Sequence, residues 1–144
     1  MNSLTILFNL MIFPEIFESL PANIQYLAVH NIILGVIIAV LLALIAIKAN
    51  IMYEETRDKK MAIIAGGLFS AAIFEIFHFV NSQDIVLQFY YIFFENFSIS
   101  LSVFFSIIYV RAEPVSDNKF RNKTYLLFLL LILIGHSLYK CGLL

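Results

Sequence analysis

The stretch "IQYLAVHNIILGVIIAVLLALIAI", from Ile24 to Ile47, contains no Lys, Arg, Asp or Glu. An apolar run of about 20 residues is long enough to cross the hydrocarbon core of a bilayer as an α-helix. The run is too long for a membrane β-strand and lacks the alternation of one. The stretch therefore predicts a transmembrane helix. The whole chain agrees, since 62% of its 144 residues are hydrophobic and only 13% are charged, against about a quarter charged in soluble domains.

Three further runs have the length and apolar character of a span, namely residues 62–80, 85–110 and 125–144. Short connections between consecutive spans are typical of an up-down-up-down four-helix bundle. We therefore expect an all-α integral membrane protein whose residues 1–144 form one transmembrane domain. Segment 1–23 is interrupted by prolines and glutamates, and we expect it to lie in the membrane interface as a short amphipathic segment. Gly66 and Gly67, inside the second run, are typical of close helix approach.

The basic residues indicate how the chain is oriented. All but one of the nine lie in the two long connections, namely Lys48, Arg57, Lys59, Lys60, Arg111, Lys119, Arg121 and Lys123. The positive-inside rule places these connections in the cytoplasm and both termini outside. We expect a multi-pass protein that contacts the lipid bilayer and associates with another membrane protein or with a second copy of itself. An interaction with nucleic acid is not expected.

Ionisable residues inside the apolar runs are the candidates for function. In "AAIFEIFHFV", from Ala71 to Val80, Glu75 and His78 stand three residues apart and should project from one helical face. On the third run, Glu95 and Ser98 begin a polar stripe that should point between helices. Such groups at bilayer depth are costly unless they are paired or neutralised, so they must meet one another or a ligand.

The three histidines of the chain lie in three different runs, all in the half of the bundle expected to face outward. We predict that His30, Glu75, His78 and His136 are metal ligands. Glu95 and Ser98 are predicted to hydrogen-bond to them or to accept a proton. Imidazole and carboxylate donors suit zinc, iron or copper(II). Three alternatives stay open: a haem b held between two histidines, a proton-relay or quinone-type site, and no cofactor at all, with the polar groups pairing among themselves.

These observations favour a small membrane protein that binds a metal ion or small ligand in a sensory or redox-related role. The second hypothesis is an accessory or structural subunit of a larger membrane complex without a cofactor of its own. The third is an intramembrane metalloenzyme. Catalysis is less expected than binding, because turnover also requires an open coordination position and a path for the substrate.

The region from Tyr26 to Phe97 resembles the membrane-associated sensor domains, third class, that precede signalling modules in bacteria and archaea. The pieces that match are His30 in "AVHNIILG", the segment "GGLFSAAIFEIFH" that ends at His78, and Glu95 in "FFENFS". Glu75 stands where those domains usually have aspartate. The resemblance implies ligand sensing. Those domains usually have more spans and a cytoplasmic output domain, so a sensor built like this chain would have to signal through a partner.

Overall fold

A computed structural model of the chain describes residues 22–80, 85–109 and 118–140, with side chains described for 30, 33–78, 89–109 and 118–138. Within these residues the chain is all-helical, as the sequence predicts. The helices are α1 (Ala22–Thr56), α2 (Lys59–Val80), α3 (Ile85–Ile108) and α4 (Lys119–Lys140). Three of them contain a segment that is long and apolar enough to cross a membrane, namely Ile33–Thr56, Lys59–His78 and Phe89–Ile108.

Two helices extend well beyond the apolar runs. α1 does not give way to a loop after Ile47 but continues to Thr56, because "KANIMYEET" contains neither Gly nor Pro and its residues tolerate helix. α4 begins at Lys119 instead of Tyr125. Its first turns carry three basic residues, and it is not among the three helices apolar enough to span. Residues 1–21 of the expected interfacial segment, and residues 81–84 and 141–144, lie outside the described residues.

Only two residues connect α1 to α2. Arg57 has a φ of 57°, in the left-handed region that ends many helices, and its N–H donates to the carbonyl of Tyr53 at 2.8 Å. Asp58 then caps α2, because its Oδ1 accepts the N–H of Lys60 at 2.9 Å and its carbonyl accepts that of Met61 at 3.0 Å. A connection this short places α1 and α2 side by side in opposite directions.

The backbone of α2 packs closely against all three other helices, whereas that of α1 packs closely only against α2 among the described helices. Gly67 of α2 faces Ser102 of α3, so closely that a Cβ on Gly67 would overlap the Ser102 side chain. Further along, Phe74 lies against Tyr91 with ring centroids 6.5 Å apart. The residue numbers rise on one helix while they fall on the other, so α2 and α3 are antiparallel.

Glycines also allow α4 to approach α2. A Cβ on Gly66 would lie 2.7 Å from Cδ2 of Phe128, and a Cβ on Gly135 would lie 3.1 Å from the ring of Phe74. These contacts follow the same order along both helices, so α2 and α4 are parallel. The close approach expected at Gly66 and Gly67 is confirmed.

The core of the described residues is an aromatic cluster between α2, α3 and α4. Phe74, Tyr91, Phe94 and Ile132 are buried there, and the rings of Phe74 and Phe94 have centroids 5.4 Å apart. The cluster fixes the relative heights of the three helices, and the ionisable side chains of α2 and α3 lie beside it.

Candidate metal centre

Glu75, His78 and Glu95 form the group of potential metal ligands in the described part of the chain. Each offers one donor atom, and these atoms all lie within 4.8 Å of one another. Glu75 and His78 come from successive turns of α2, and Nδ1 of His78 lies 3.3 Å from Oε2 of Glu75. The common helical face expected for this pair is confirmed. Glu95 enters from α3.

The group lies at the edge of the interior. Glu75 is buried, with 5% of its surface exposed, while His78 and Glu95 are half-buried. The buried Glu75 therefore lies on the inner side of the group, and His78 and Glu95 lie on the side that reaches the surface of the helices. A ligand or proton could enter there without separating the helices.

Two carboxylates at this separation repel each other strongly when both are ionised in apolar surroundings. The repulsion is relieved by a proton shared between them, by a protonated His78, or by a cation bound to all three groups. The arrangement is thus chemically suited to holding positive charge. This property follows from the geometry and does not depend on which cation is present.

The donor set fits a small transition-metal ion. A tetrahedral ion with metal–ligand bonds of about 2.1 Å separates its donors by roughly 3.4 Å, so the three side chains need only small rotations to close around one. One nitrogen and two oxygen donors suit zinc or iron(II) better than a soft ion. Three protein ligands leave a coordination position open. Such a compact group suits a small ion better than a haem, whose iron takes ligands on opposite faces of a wide ring.

Small residues on α2 and α3 allow Glu95 to approach Glu75. One turn below Glu95, Ser98 Oγ lies 3.1 Å from Ser70 Oγ, and both serines are fully buried. This bond joins the two helices, so the partner that the structure gives Ser98 is Ser70. A bond from Ser98 to a metal ligand stays a prediction.

The structure does not bring His136 into the group. Its ring packs on Phe77, with centroids 5.3 Å apart, and its Nδ1 lies 3.4 Å from the hydroxyl of Tyr91. His136 is thus part of the aromatic cluster between α2, α3 and α4. Its position follows from the parallel register of α2 and α4, which sets it beside Phe77.

His30 is not in the group either. It is exposed on α1. Measured from the Arg57–Asp58 connection at 1.5 Å per residue, it lies about 10 Å further along the helix pair than His78. The four ligands predicted from the sequence therefore separate: Glu75 and His78 come together, and His30 and His136 do not join them.

Glu95 takes the third place in the group, although the sequence suggested it only as a supporting residue. Its distance from Glu75 depends on the register of α2 against α3. The available signal was the set of small residues, Gly67 on α2 and Ser98 and Ser102 on α3, which marks the face where the two helices meet.

No family model matches the chain, and neither the curated proteins nor the solved structures contain a significant match to it. The resemblance to membrane-associated sensor domains therefore stays a prediction that rests on the residues quoted for it.

Proposed function

We propose that this protein is a four-span integral membrane protein that binds one divalent transition-metal ion through Glu75, His78 and Glu95. The observation that carries the proposal is the proximity of three donor atoms, from two helices, within 4.8 Å. Ionisable groups in a segment apolar enough to span a membrane are costly to keep unless they have a role or a partner. A bound cation relieves the repulsion between the two carboxylates and uses all three groups.

Insertion in the bilayer is supported by the surface of the helices. Each presents large apolar side chains to the outside, including Leu44 on α1, Phe69 on α2, Ile107 on α3 and Leu133 on α4, all more than half exposed. Exposed apolar surface of this extent is typical of contact with lipid. We include α4 as a fourth span in an up-down-up-down bundle, with its basic first turns in the cytoplasmic interface.

The role we propose is sensory. The site holds an ion through a few side chains at the edge of the bundle, from which a change in occupancy can alter the packing of α2 against α3. A partner protein in the membrane would receive the signal. A metal held by three protein ligands, with one coordination position open, also permits catalysis. The open position alone does not favour an enzyme over a sensor.

One observation favours a second function, a structural subunit without a cofactor. Among the described residues, no buried side-chain nitrogen or oxygen lacks a hydrogen-bond partner. The site could therefore be satisfied by a proton alone, with the Glu75–His78 pair and Glu95 holding two helices together within a larger complex.

The metal content of the purified protein separates the two functions. The full chain is purified in mild detergent without chelator, and its zinc, iron and copper are measured by mass spectrometry alongside the Glu95→Gln and His78→Ala variants. Glu55→Gln is the matched control. Glu55 is an exposed acidic residue near the C-terminal end of α1, whereas Glu75 and His78 lie toward the far end of α2. We expect about one ion per chain in the parent and in the control, and a marked loss in both site variants.

The parent and the three variants are also incubated with each ion. If all four then hold the same amount of metal, well below one ion per chain, the proposed metal site is contradicted. Recovery of a membrane partner at a fixed ratio in that case supports the structural subunit.

A further inference from the structure

A large groove lies between α1 and α4, with α2 as its floor. Its volume is about 830 Å³, within the usual range of ligand pockets, roughly 300–1,000 Å³. It is lined by Ile47 and Asn50 on α1, Gly66 and Phe69 on α2, and Tyr125 and Leu129 on α4. We call it the α1–α4 groove. It shares none of its lining with the metal centre.

The groove exists because both outer helices pack on α2 while their backbones stay apart. No close backbone contact joins α1 and α4 among the described residues. Among the described residues, side chains bridge them near the start of α4: the Tyr125 hydroxyl donates to Oδ1 of Asn50 at 2.6 Å, and the guanidinium of Arg121 pairs with Glu54 and lies 5.6 Å from the ring centre of Tyr53. Beyond these bridges the groove is open.

The lining is polar at the bridged end and, apart from Ser70, apolar elsewhere. Arg121 and Asn122 line the bridged end with Tyr125, whereas the continuation along α4 consists of Leu126, Phe128, Leu129 and Ile132. From Arg121 to Ile132 the groove follows α4 for about 16 Å. A molecule with a polar head and a narrow apolar tail would match this distribution.

The polar end carries net positive charge. The Arg121 side chain is 18% exposed and has Glu54 as its acidic partner, and a carboxylate oxygen of Glu54 also lies 3.5 Å from the guanidinium of Arg57. Described basic side chains outnumber acidic ones at this end of the helices: Arg57, Lys59, Lys60, Lys119, Arg121 and Lys123 against Glu54, Glu55 and Asp58. The headgroup that suits this end is therefore anionic.

We propose that the α1–α4 groove binds one anionic phospholipid, with its headgroup against Arg121 and Asn122 and an acyl chain along Leu126 and Leu129. The Tyr125–Asn50 bridge crosses from α4 to α1 at the polar end, and an acyl chain is narrower than a helix of a second copy, which is about 10 Å wide. The proposal rests on the membrane insertion proposed above and is independent of the metal.

Native mass spectrometry of the full chain in mild detergent tests the site. Phosphatidylglycerol and phosphatidylcholine with the same acyl chains are added in equal amounts. We expect one phosphatidylglycerol per chain, about fivefold in excess over phosphatidylcholine, as one extra charge-assisted contact would give.

Two pairs of variants locate the lipid. Leu129→Trp fills the groove, and Leu130→Trp is its control, because Leu129 and Leu130 are about equally exposed, at 50% and 48%, and only Leu129 lines the groove. Leu129→Trp should lower the lipid-bound fraction about fivefold, a larger change than Leu130→Trp gives. Arg121→Gln should remove the preference for phosphatidylglycerol, whereas Lys123→Gln should keep it. Circular dichroism shows whether each variant remains helical.

If the chain retains phosphatidylglycerol and phosphatidylcholine equally, the preference for an anionic headgroup is wrong. If the Leu129→Trp and Leu130→Trp variants retain lipid equally, the lipid does not bind in the α1–α4 groove. A dimer that Leu129→Trp abolishes would show that a second copy occupies the groove instead, which also overturns the proposal. The metal content of the same samples reports on the proposed metal site separately, and extraction of membranes with alkaline carbonate reports on insertion.

Discussion

Glu75 and Glu95 face each other from neighbouring helices, with carboxylate oxygens within 4.8 Å of each other and of a ring nitrogen of His78. Their negative charges would repel each other in apolar surroundings, so the pair favours a proton or a cation between the two groups. The pair is therefore expected to be sensitive to a change of one charge.

Replacing Glu95 by Gln keeps the shape of the side chain and removes one of the proposed charged metal ligands. Loss of a residue that only hydrogen-bonds to a metal ligand typically lowers metal affinity roughly 10- to 100-fold. We expect the zinc affinity of the Glu95→Gln variant to fall at least as much. Competition with a chromophoric chelator measures the affinity. An unchanged affinity would show that Glu95 does not bind the ion.

Acid should release the ion. Carboxylate and imidazole ligands must give up their protons before they bind a metal, so protons compete with the ion and affinity falls as the pH falls. A titration of bound zinc from neutral to acidic pH, with helix content followed by circular dichroism, measures the release. The metal should leave while the helices persist, and the Glu95→Gln variant should release its residual metal with fewer protons taken up.

Ser70 and Ser98 join α2 to α3 through a single buried bond. Ser70→Ala leaves the Ser98 hydroxyl without this partner, and we expect a loss of about 1 kcal/mol in the free energy of unfolding. The double variant Ser70→Ala/Ser98→Ala should lose less than the two single variants added together. Ser106→Ala is the control, because the Ser106 hydroxyl bonds within its own helix, to the carbonyl of Val103. Additive losses in the double variant would contradict a direct bond.

Gly67 determines how closely α3 approaches α2. A Cβ there would lie 2.8 Å from Oγ of Ser102 and 3.2 Å from the carbonyl of Ser98. Gly67→Ala should therefore push α2 and α3 apart and lower the free energy of unfolding by about 1–3 kcal/mol. The thermal midpoint and the affinity for metal should fall together. Ser102→Gly in the same chain removes the overlapping side chain and should restore both. Failure of this rescue would mean that Gly67 acts through something other than the Ser102 contact.

Arg57 is held in a left-handed backbone conformation that suits glycine. Arg57→Ala and Arg57→Gly both delete its contacts with Tyr53, Glu54 and Asn118, so the difference between them isolates the backbone. We expect the glycine variant to be more stable than the alanine variant by about 1 kcal/mol. Chemical unfolding followed by circular dichroism measures the difference, and equal stability would indicate that the connection is not constrained.

What could be predicted from the sequence was local. The apolar run from Ile24 to Ile47 was enough to predict a helix, and the spacing of Glu75 and His78 was enough to place both on one face, because helix geometry fixes neighbours three residues apart. The extent of α1 was underestimated. Charged residues end an apolar run, but they do not end a helix. α1 ends where Arg57 adopts a left-handed backbone conformation.

What could not be predicted depended on register between helices. The sequence placed His30, His78 and His136 at a similar depth, but a difference of a few residues in where helices begin moves a side chain by several ångströms. The packing of Gly67 on Ser102 set the height of Glu95, and the Phe77–His136 contact set that of His136. Neither offset follows from hydrophobicity alone.

α2 is a wall of both proposed sites. Ser70, on α2, lines the α1–α4 groove and also bonds to Ser98 of α3, one helical turn from Glu95. A movement of α2 at one site would therefore also move a wall of the other. Thermodynamic linkage makes such an effect reciprocal: if metal raises the affinity for lipid by some factor, lipid raises the affinity for metal by the same factor. A shared helix of this kind would let the lipid composition of the membrane set the ion concentration to which the protein responds.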